Sequence, residues 1–196
     1  MIADWRQKAV VKSLIFKGIS LLFILSGCAV RPPAEEPGLA FAAGGKFGIK
    51  DADSGYSASF SWRHFQHGYD IEVWGPLGQG RTLLRGDESL MQVRRGEDVL
   101  AQGAPEQVMQ THLGWSVPIR ILPAWIQGFP STQLPHSDAV LDDQGRYTAF
   151  AQAGWQVNLE RYTAREDGLS SLFTPARIVA LNGLRKVTVV VRNYTQ

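Results

Sequence analysis

Alternation with a period of two dominates this chain from about Gly45 onward. In Tyr56-Ser57-Ala58-Ser59-Phe60-Ser61-Trp62 the bulky residues fall on one side and the serines on the other, as a half-buried strand requires. Tyr69, Ile71 and Val73 alternate with Asp70, Glu72 and Trp74, and Trp155, Val157 and Leu159 alternate with Gln156, Asn158 and Glu160. Further strands are expected at 46–51, 81–85, 89–94, 97–102, 146–152, 177–181 and 186–194. Short strands this dense, joined by Gly-bearing turns such as Arg95-Gly96-Glu97 and Asn182-Gly183, predict a mainly β fold, an antiparallel meander curling into a barrel or an open half-barrel. The middle breaks the period. Pro105 near a helix start, Val108, Met109 and His112 on one face and Gly114 as a stop predict a helix over 104–114. Residues 118–127, bounded by Gly128 and Pro130, predict a second helical piece that Pro123 bends or divides. Two short helices inserted in a meander are placed to cover it as a lid.

Ahead of this body the pattern is different. A basic region through Lys17 leads into an apolar run from Gly18 to Gly27, of signal-peptide length and too short to span a bilayer core of ~30 Å. The run ends in Leu25-Ser26-Gly27-Cys28, the form of a bacterial lipobox, and Cys28 is the only cysteine in the sequence. The expectation is a signal peptide over 1–27, a lipidated Cys28 opening a tether over 28–44, and a folded domain over 45–196. Arg31-Pro32-Pro33-Ala34-Glu35-Glu36-Pro37-Gly38, rich in Pro and charge, suits an extended tether. A single cysteine excludes a disulfide framework.

Charge follows the same division. Four of the 20 basic residues (Arg6, Lys8, Lys12, Lys17) and one of the 18 acidic ones (Asp4) lie in the first 27, leaving 16 against 17, a net −1. The body therefore has no overall basic field for nucleic acid.

Candidate chemistry is sparse. His64 and His67 are the one histidine pair close in sequence, but residues three apart in a strand face opposite sides, and no carboxylate cluster or cysteine completes a zinc set. No G-x-S-x-G marks a nucleophile elbow, and Gly75-Pro76-Leu77-Gly78-Gln79-Gly80 lacks the Lys-Ser/Thr of a phosphate loop. No metal, nucleotide or other cofactor is expected, and no catalysis. That glycine-rich loop has another property. Gly75-Pro76-Leu77-Gly78 suits a type I turn with Pro76 at its second position, which sets Leu77 at the tip. Leu77 either folds back onto the core or stands out as an apolar finger, worth roughly 1.5–3 kcal/mol on entering another apolar phase.

Several segments in order resemble the LolB family of outer-membrane lipoproteins: 57–62, 69–78, Leu113-Gly114-Trp115-Ser116-Val117-Pro118, Trp125-Ile126-Gln127-Gly128 with Pro130, and Gly154-Trp155-Gln156-Val157 with Tyr162. The resemblance covers about residues 45–194. It implies a half-barrel with a helical lid over an apolar cavity, cleavage before Cys28 and acylation there, and a monomer anchored in the outer membrane, facing the periplasm. It further implies a receptor that accepts lipoproteins from the soluble periplasmic carrier LolA, shelters their acyl chains, and inserts them into the inner leaflet of the outer membrane. In that family the turn leucine matching Leu77 is the exposed residue needed for delivery into the bilayer, so Gly75, Pro76, Leu77 and Gly78 form the expected insertion loop. Phe60, Trp62, Ile71, Val73, Trp115, Trp125 and Trp155 are the expected cavity wall or lid, with an ordinary closed core as the alternative for each. Val187, Val189 and Val191 with Val190 suggest a last strand buried on both faces, core more than cavity. One departure is the short, Pro-rich segment between Cys28 and Lys46, where relatives often carry an amphipathic helix; part of the cavity cover is expected to be missing or replaced. The competing reading is a lipoprotein whose closed β domain serves as an assembly module for an envelope complex. An enzyme acting on lipid or peptidoglycan would need a convergent polar cluster in a cleft. The interior separates the first two, because a receptor needs a void and a module a packed core.

Overall fold

The computed structural model describes residues 38–113, 116–166 and 171–196. The leader, Cys28, the tether up to Pro37, Gly114 and Trp115 lie outside the described residues.

Eleven strands form one antiparallel sheet: β1 (Leu39–Lys50), β2 (Gly55–Phe65), β3 (Gly68–Trp74), β4 (Thr82–Gly86), β5 (Met91–Arg95), β6 (Asp98–Gly103), β7 (His136–Leu141), β8 (Tyr147–Gln152), β9 (Trp155–Glu166), β10 (Ser171–Asn182) and β11 (Arg185–Thr195). The order β6-β5-β4-β3-β2-β1-β11-β10-β9-β8-β7 leaves β6 and β7 as edges, so the sheet is open and not a closed barrel. Two helices, α1 (Pro105–Leu113) and α2 (Leu122–Gln127), interrupt the meander between the edge strands.

The inward phase of each long strand carries the apolar residues that alternation assigns to it. Phe60, Trp62, Ile71, Trp155, Val157, Leu159 and Ile178 are buried in a single cluster with Val108 and Met109 of α1 and Trp125 and Ile126 of α2. Dispersion among these side chains, together with their removal from water, holds the helices on the concave face. α2 is shorter than the periodicity suggests. Residues 118–121 form a turn, with the Ile121 N–H donating to the Pro118 carbonyl at 3.1 Å, and Pro123 falls in the first turn of the helix, where its missing N–H costs nothing. Gly128 ends α2 at φ 100°, its N–H donating to Ala124 at 3.0 Å.

Three stretches of strand extend beyond what alternation reveals. β1 begins at Leu39, six residues ahead of Gly45, and its Ala42-Ala43-Gly44-Gly45 run holds a bulge where it pairs with β11. Such small residues write no alternation. β7 is exposed at every position and breaks register twice against β8, with Asp138 at φ 53°, so it has no apolar face to read. β10 begins at Ser171 and runs through Pro175, a residue that argues against strand in sequence.

Strict antiparallel pairing sends the β1–β2, β3–β4, β5–β6, β8–β9 and β10–β11 connections to one end of the sheet, here termed the hairpin rim.

Candidate functional site

The concave face encloses a cavity of about 710 Å³, within the ~300–1,000 Å³ range of ligand pockets, so the interior is not a closed core. Its walls are the inward positions of β1–β4 and β9–β11, and its roof comes from Met109, Ile126 and the 117–122 segment. Asp51, Ser54, Tyr56, Gly80 and Arg95 also line it, and all of them lie at or beside the hairpin rim, so the cavity reaches that end. Phe60, Trp62, Ile71, Val73, Trp125 and Trp155 are brought together on its wall, with Trp115 outside the described residues. Val187 and Val189 are also on the wall, contrary to the expected core placement. The reason is register: β11 faces Phe47 and Ile49 of β1 through its inward phase, and at these positions the inward face meets the cavity, whereas Val191 further along is packed at 2% exposure.

Gln152 holds the roof in place. On β8 it shares the inward phase with Phe150, and there a polar side chain sits at 2% exposure. Its Oε1 accepts from the Trp125 indole at 2.9 Å and from the Ser131 N–H at 3.0 Å, while its Nε2 donates to the carbonyls of Ser131 at 2.7 Å and Leu134 at 2.8 Å. All of its hydrogen-bonding groups are used, which makes burial of the amide affordable and fixes α2 with the segment after it. The Tyr162 hydroxyl adds a second tie, lying between the Gly128 carbonyl at the end of α2, 3.1 Å away, and the Tyr147 carbonyl of β8, 2.6 Å away. Sequence reasoning passed over Gln152; the signal was a glutamine in an apolar phase. α1, by contrast, rests on the apolar contacts of Val108 and Met109.

Another part of the cluster is polar and unpaired. Trp62 Nε1, His64 Nδ1 and the Tyr69 hydroxyl are buried without a hydrogen-bond partner among the described residues. Phe41 stacks on His64 with ring centroids 5.1 Å apart, and burial pushes the His64 pKa down and the Tyr69 hydroxyl pKa up. His67 lies in the β2–β3 turn, away from a ligand set; no group of three or more His, Cys, Asp or Glu that could hold a metal is found among the described residues.

On the convex face Asp70 sits between two guanidinium groups, Arg63 at 2.8 Å and Arg85, which binds it bidentately at 2.7 Å through both Nε and a terminal nitrogen. The three residues are register neighbours on β2, β3 and β4. The hydrogen bonds from Arg85, outweighing desolvation, hold the Asp70 carboxyl below the usual carboxylate range.

The β3–β4 loop leaves Leu77 wholly in solvent at 104% exposure. The turn is not type I. Leu77 has φ 61° and ψ 17°, left-handed values that give the third position a type II-like geometry, a place usually held by glycine. For a leucine this costs roughly 1–2 kcal/mol. The Gly78 N–H donates to the Gly75 carbonyl at 3.1 Å and the Gly75 N–H to the Gln79 carbonyl at 2.9 Å, closing the loop behind the tip. Pro76 fixes the approach, Gly78 follows at φ 80°, and the leucine is held away from the body with no side-chain contact to repay the strain.

Residues 39–194 match the family described as outer membrane lipoprotein LolB. Among similar proteins, an outer-membrane lipoprotein LolB of Chromohalobacter salexigens is 27% identical, covering 95% of this chain and 92% of that protein. The one from Marinobacter nauticus is 32% identical over 78% of this chain and 73% of its own. Among solved structures, a LolA superfamily protein of Nitrosomonas europaea aligns with a TM-score of 0.51 at 9% identity, covering 81% of this chain and 86% of its own. That last likeness concerns the fold alone.

Proposed function

The chain belongs to the LolB family of outer-membrane lipoproteins, and from that premise we propose that it accepts lipoproteins from a LolA-like periplasmic carrier and inserts them into the outer membrane. It works as a receptor in lipoprotein localisation and not as an enzyme. In this reading Cys28 carries the acyl anchor, the protein is a monomer on the periplasmic side of the outer membrane, and the acyl chains of the client occupy the cavity.

The observation that carries the reading is the apolar cavity of about 710 Å³, reaching the same rim that bears Leu77. A triacylated cysteine with chains of roughly 16 carbons represents on the order of 40 kcal/mol of burial at ~0.8 kcal/mol per CH₂. Affinities saturate near ~20 kcal/mol, so the protein shelters only part of the chains. Moving them from one apolar cavity to another, and then into hydrocarbon, exchanges like for like. Modest differences in affinity suffice to drive the transfer. Phe60, Trp62, Ile71, Val73, Trp125 and Trp155 supply the wall, and the Gly75-Pro76-Leu77-Gly78 loop enters the bilayer at the point of release.

The test is transfer. A carrier loaded with a labelled lipoprotein is incubated with this protein reconstituted in vesicles, and the label is followed by pull-down and by flotation. The expected result is label moving first to this protein and then to the bilayer without nucleotide. Label remaining on the carrier, with this protein shown to be folded, would return the assembly-module reading to first place.

A further inference from the structure

The β10–β11 tip carries a leucine with no packing role. Asn182 and Arg185 close the hairpin in register, leaving Gly183 and Leu184 as a two-residue loop. Gly183, at φ 57°, takes the first loop position, which a type II′ turn reserves for glycine. The second position asks for no apolar side chain, yet Leu184 occupies it at 84% exposure. A lone exposed leucine is ordinary on a protein surface. Three observations set this one apart.

The first is position. Leu184 projects from the same rim as Leu77, separated from it by four strand spacings, roughly 19 Å along the sheet at ~4.8 Å per strand. The second is its neighbourhood. Leu184 shares a surface hollow with the 51–54 loop, and Asp51 and Ser54 of that loop also line the apolar cavity. Arg185 ties the two hairpins together through an ion pair to Asp51 at 2.7 Å. The third is charge. Lys50 and Lys186 stand directly opposite each other on β1 and β11, both exposed and neither in an ion pair among the described residues. Like charges in register repel and destabilise a sheet. Anionic phosphates beyond the rim would turn that repulsion into attraction, and Lys186 lies two residues behind the leucine, roughly 7 Å along the strand, at headgroup depth when the tip is in acyl chains. Trp74 at the end of β3 and Tyr56 at the start of β2, the latter 55% exposed, add aromatic rings of the kind favoured at a membrane interface.

We infer that Leu77 and Leu184 form a two-point seat on a phospholipid bilayer, with Lys50 and Lys186 drawn to the lipid phosphates. The seat rests on the receptor reading above and deepens it. One finger lets the body pivot on the membrane, whereas two on a common rim turn the cavity mouth toward the bilayer before the cargo leaves.

The experiment labels the full-length protein at Leu184→Cys, Leu77→Cys or Gln144→Cys with a polarity-sensitive fluorophore. Gln144 is exposed in the β7–β8 turn at the opposite end of the sheet. The unsubstituted chain serves as the blank for Cys28. Each is reconstituted in phosphatidylcholine vesicles containing phosphatidylglycerol and doxyl-labelled lipid. The expected result is a blue shift and quenching at 77 and 184, with neither at 144. A probe at 184 that stays in water while the one at 77 is quenched overturns the second contact and leaves the receptor reading standing. Probes in water at both sites overturn the seat together with the membrane-facing loop on which it rests. Adding Lys50→Glu and Lys186→Glu is expected to reduce quenching at 184; quenching that persists at full strength removes the phosphate contact from the proposal.

Discussion

Around Gln152 every polar atom of the amide meets a partner, whereas at the hairpin rim two leucines stand largely in water. The first region is built as an interior should be, with its amide saturated, its indole paired and its helix pinned. The second leaves two leucines bare on one rim, and at Leu77 it does so at a cost in backbone strain. Stability is invested in the clamp and exposure in the rim, so damage to each should be read by a different instrument.

The sharpest break is Leu77→Glu. A carboxylate resists the bilayer by roughly 2.5–3.5 kcal/mol, which corresponds to a drop of about a hundredfold in insertion. Unfolding by urea should stay within about 0.5 kcal/mol of the parent, because no packing is lost. Insertion at the parental rate would remove the finger from the account. The reverse case is Gln152→Leu, which strands the buried Ser131 N–H, the Trp125 indole and the Ser131 and Leu134 carbonyls. It should cost on the order of 3 kcal/mol in urea unfolding, while the molecules that remain folded keep their membrane contact. Next comes Asp70→Asn on the convex face, which weakens three charge-assisted hydrogen bonds at about 2 kcal/mol at pH 7. Its pH dependence has a definite sign. The folded carboxyl titrates below its unfolded value, so its contribution is complete above pH ~4 and is lost as pH falls through the folded value. Parent and variant should therefore converge in acid, and a gap that persists well below that range would show that Asp70 acts through packing. The smallest effect on stability is the most telling: Leu77→Gly should relieve strain and stabilise by up to about 1 kcal/mol while losing insertion. A glycine variant that inserted normally would mean that the loop's shape matters and its leucine does not.

The strands with one apolar face were legible because their physics is written in every second residue. Phe60, Trp62, Ile71, Val73 and Trp155 share the concave side, as alternation requires. What stayed hidden was governed by other forces. Beyond Leu39 and Phe41 the early part of β1 is alanine and glycine, which carry no apolar–polar contrast. β7 lies at an edge, where hydrogen bonds to β8 hold it without any burial of its own. Whether an inward residue faces a neighbour or a void depends on how far the sheet curves, so Val187 and Val189 could not be told from Val191 in sequence. The geometry of the Leu77 turn was misread for a related reason. Propensity assigns the left-handed position to Gly78, and the loop places both residues there.

The open sheet has one more consequence. Its two edge strands could each accept a strand from another molecule, a hazard for a protein with an open apolar cavity. β7 breaks register against β8 on either side of Val140, with Asp138 turned to φ 53°, and β5 and β6 carry a register shift between Val93 and Arg94. An incoming strand would find no straight, continuous ladder along β7. The irregularity that hid this edge from the sequence also makes it a poor template for aggregation.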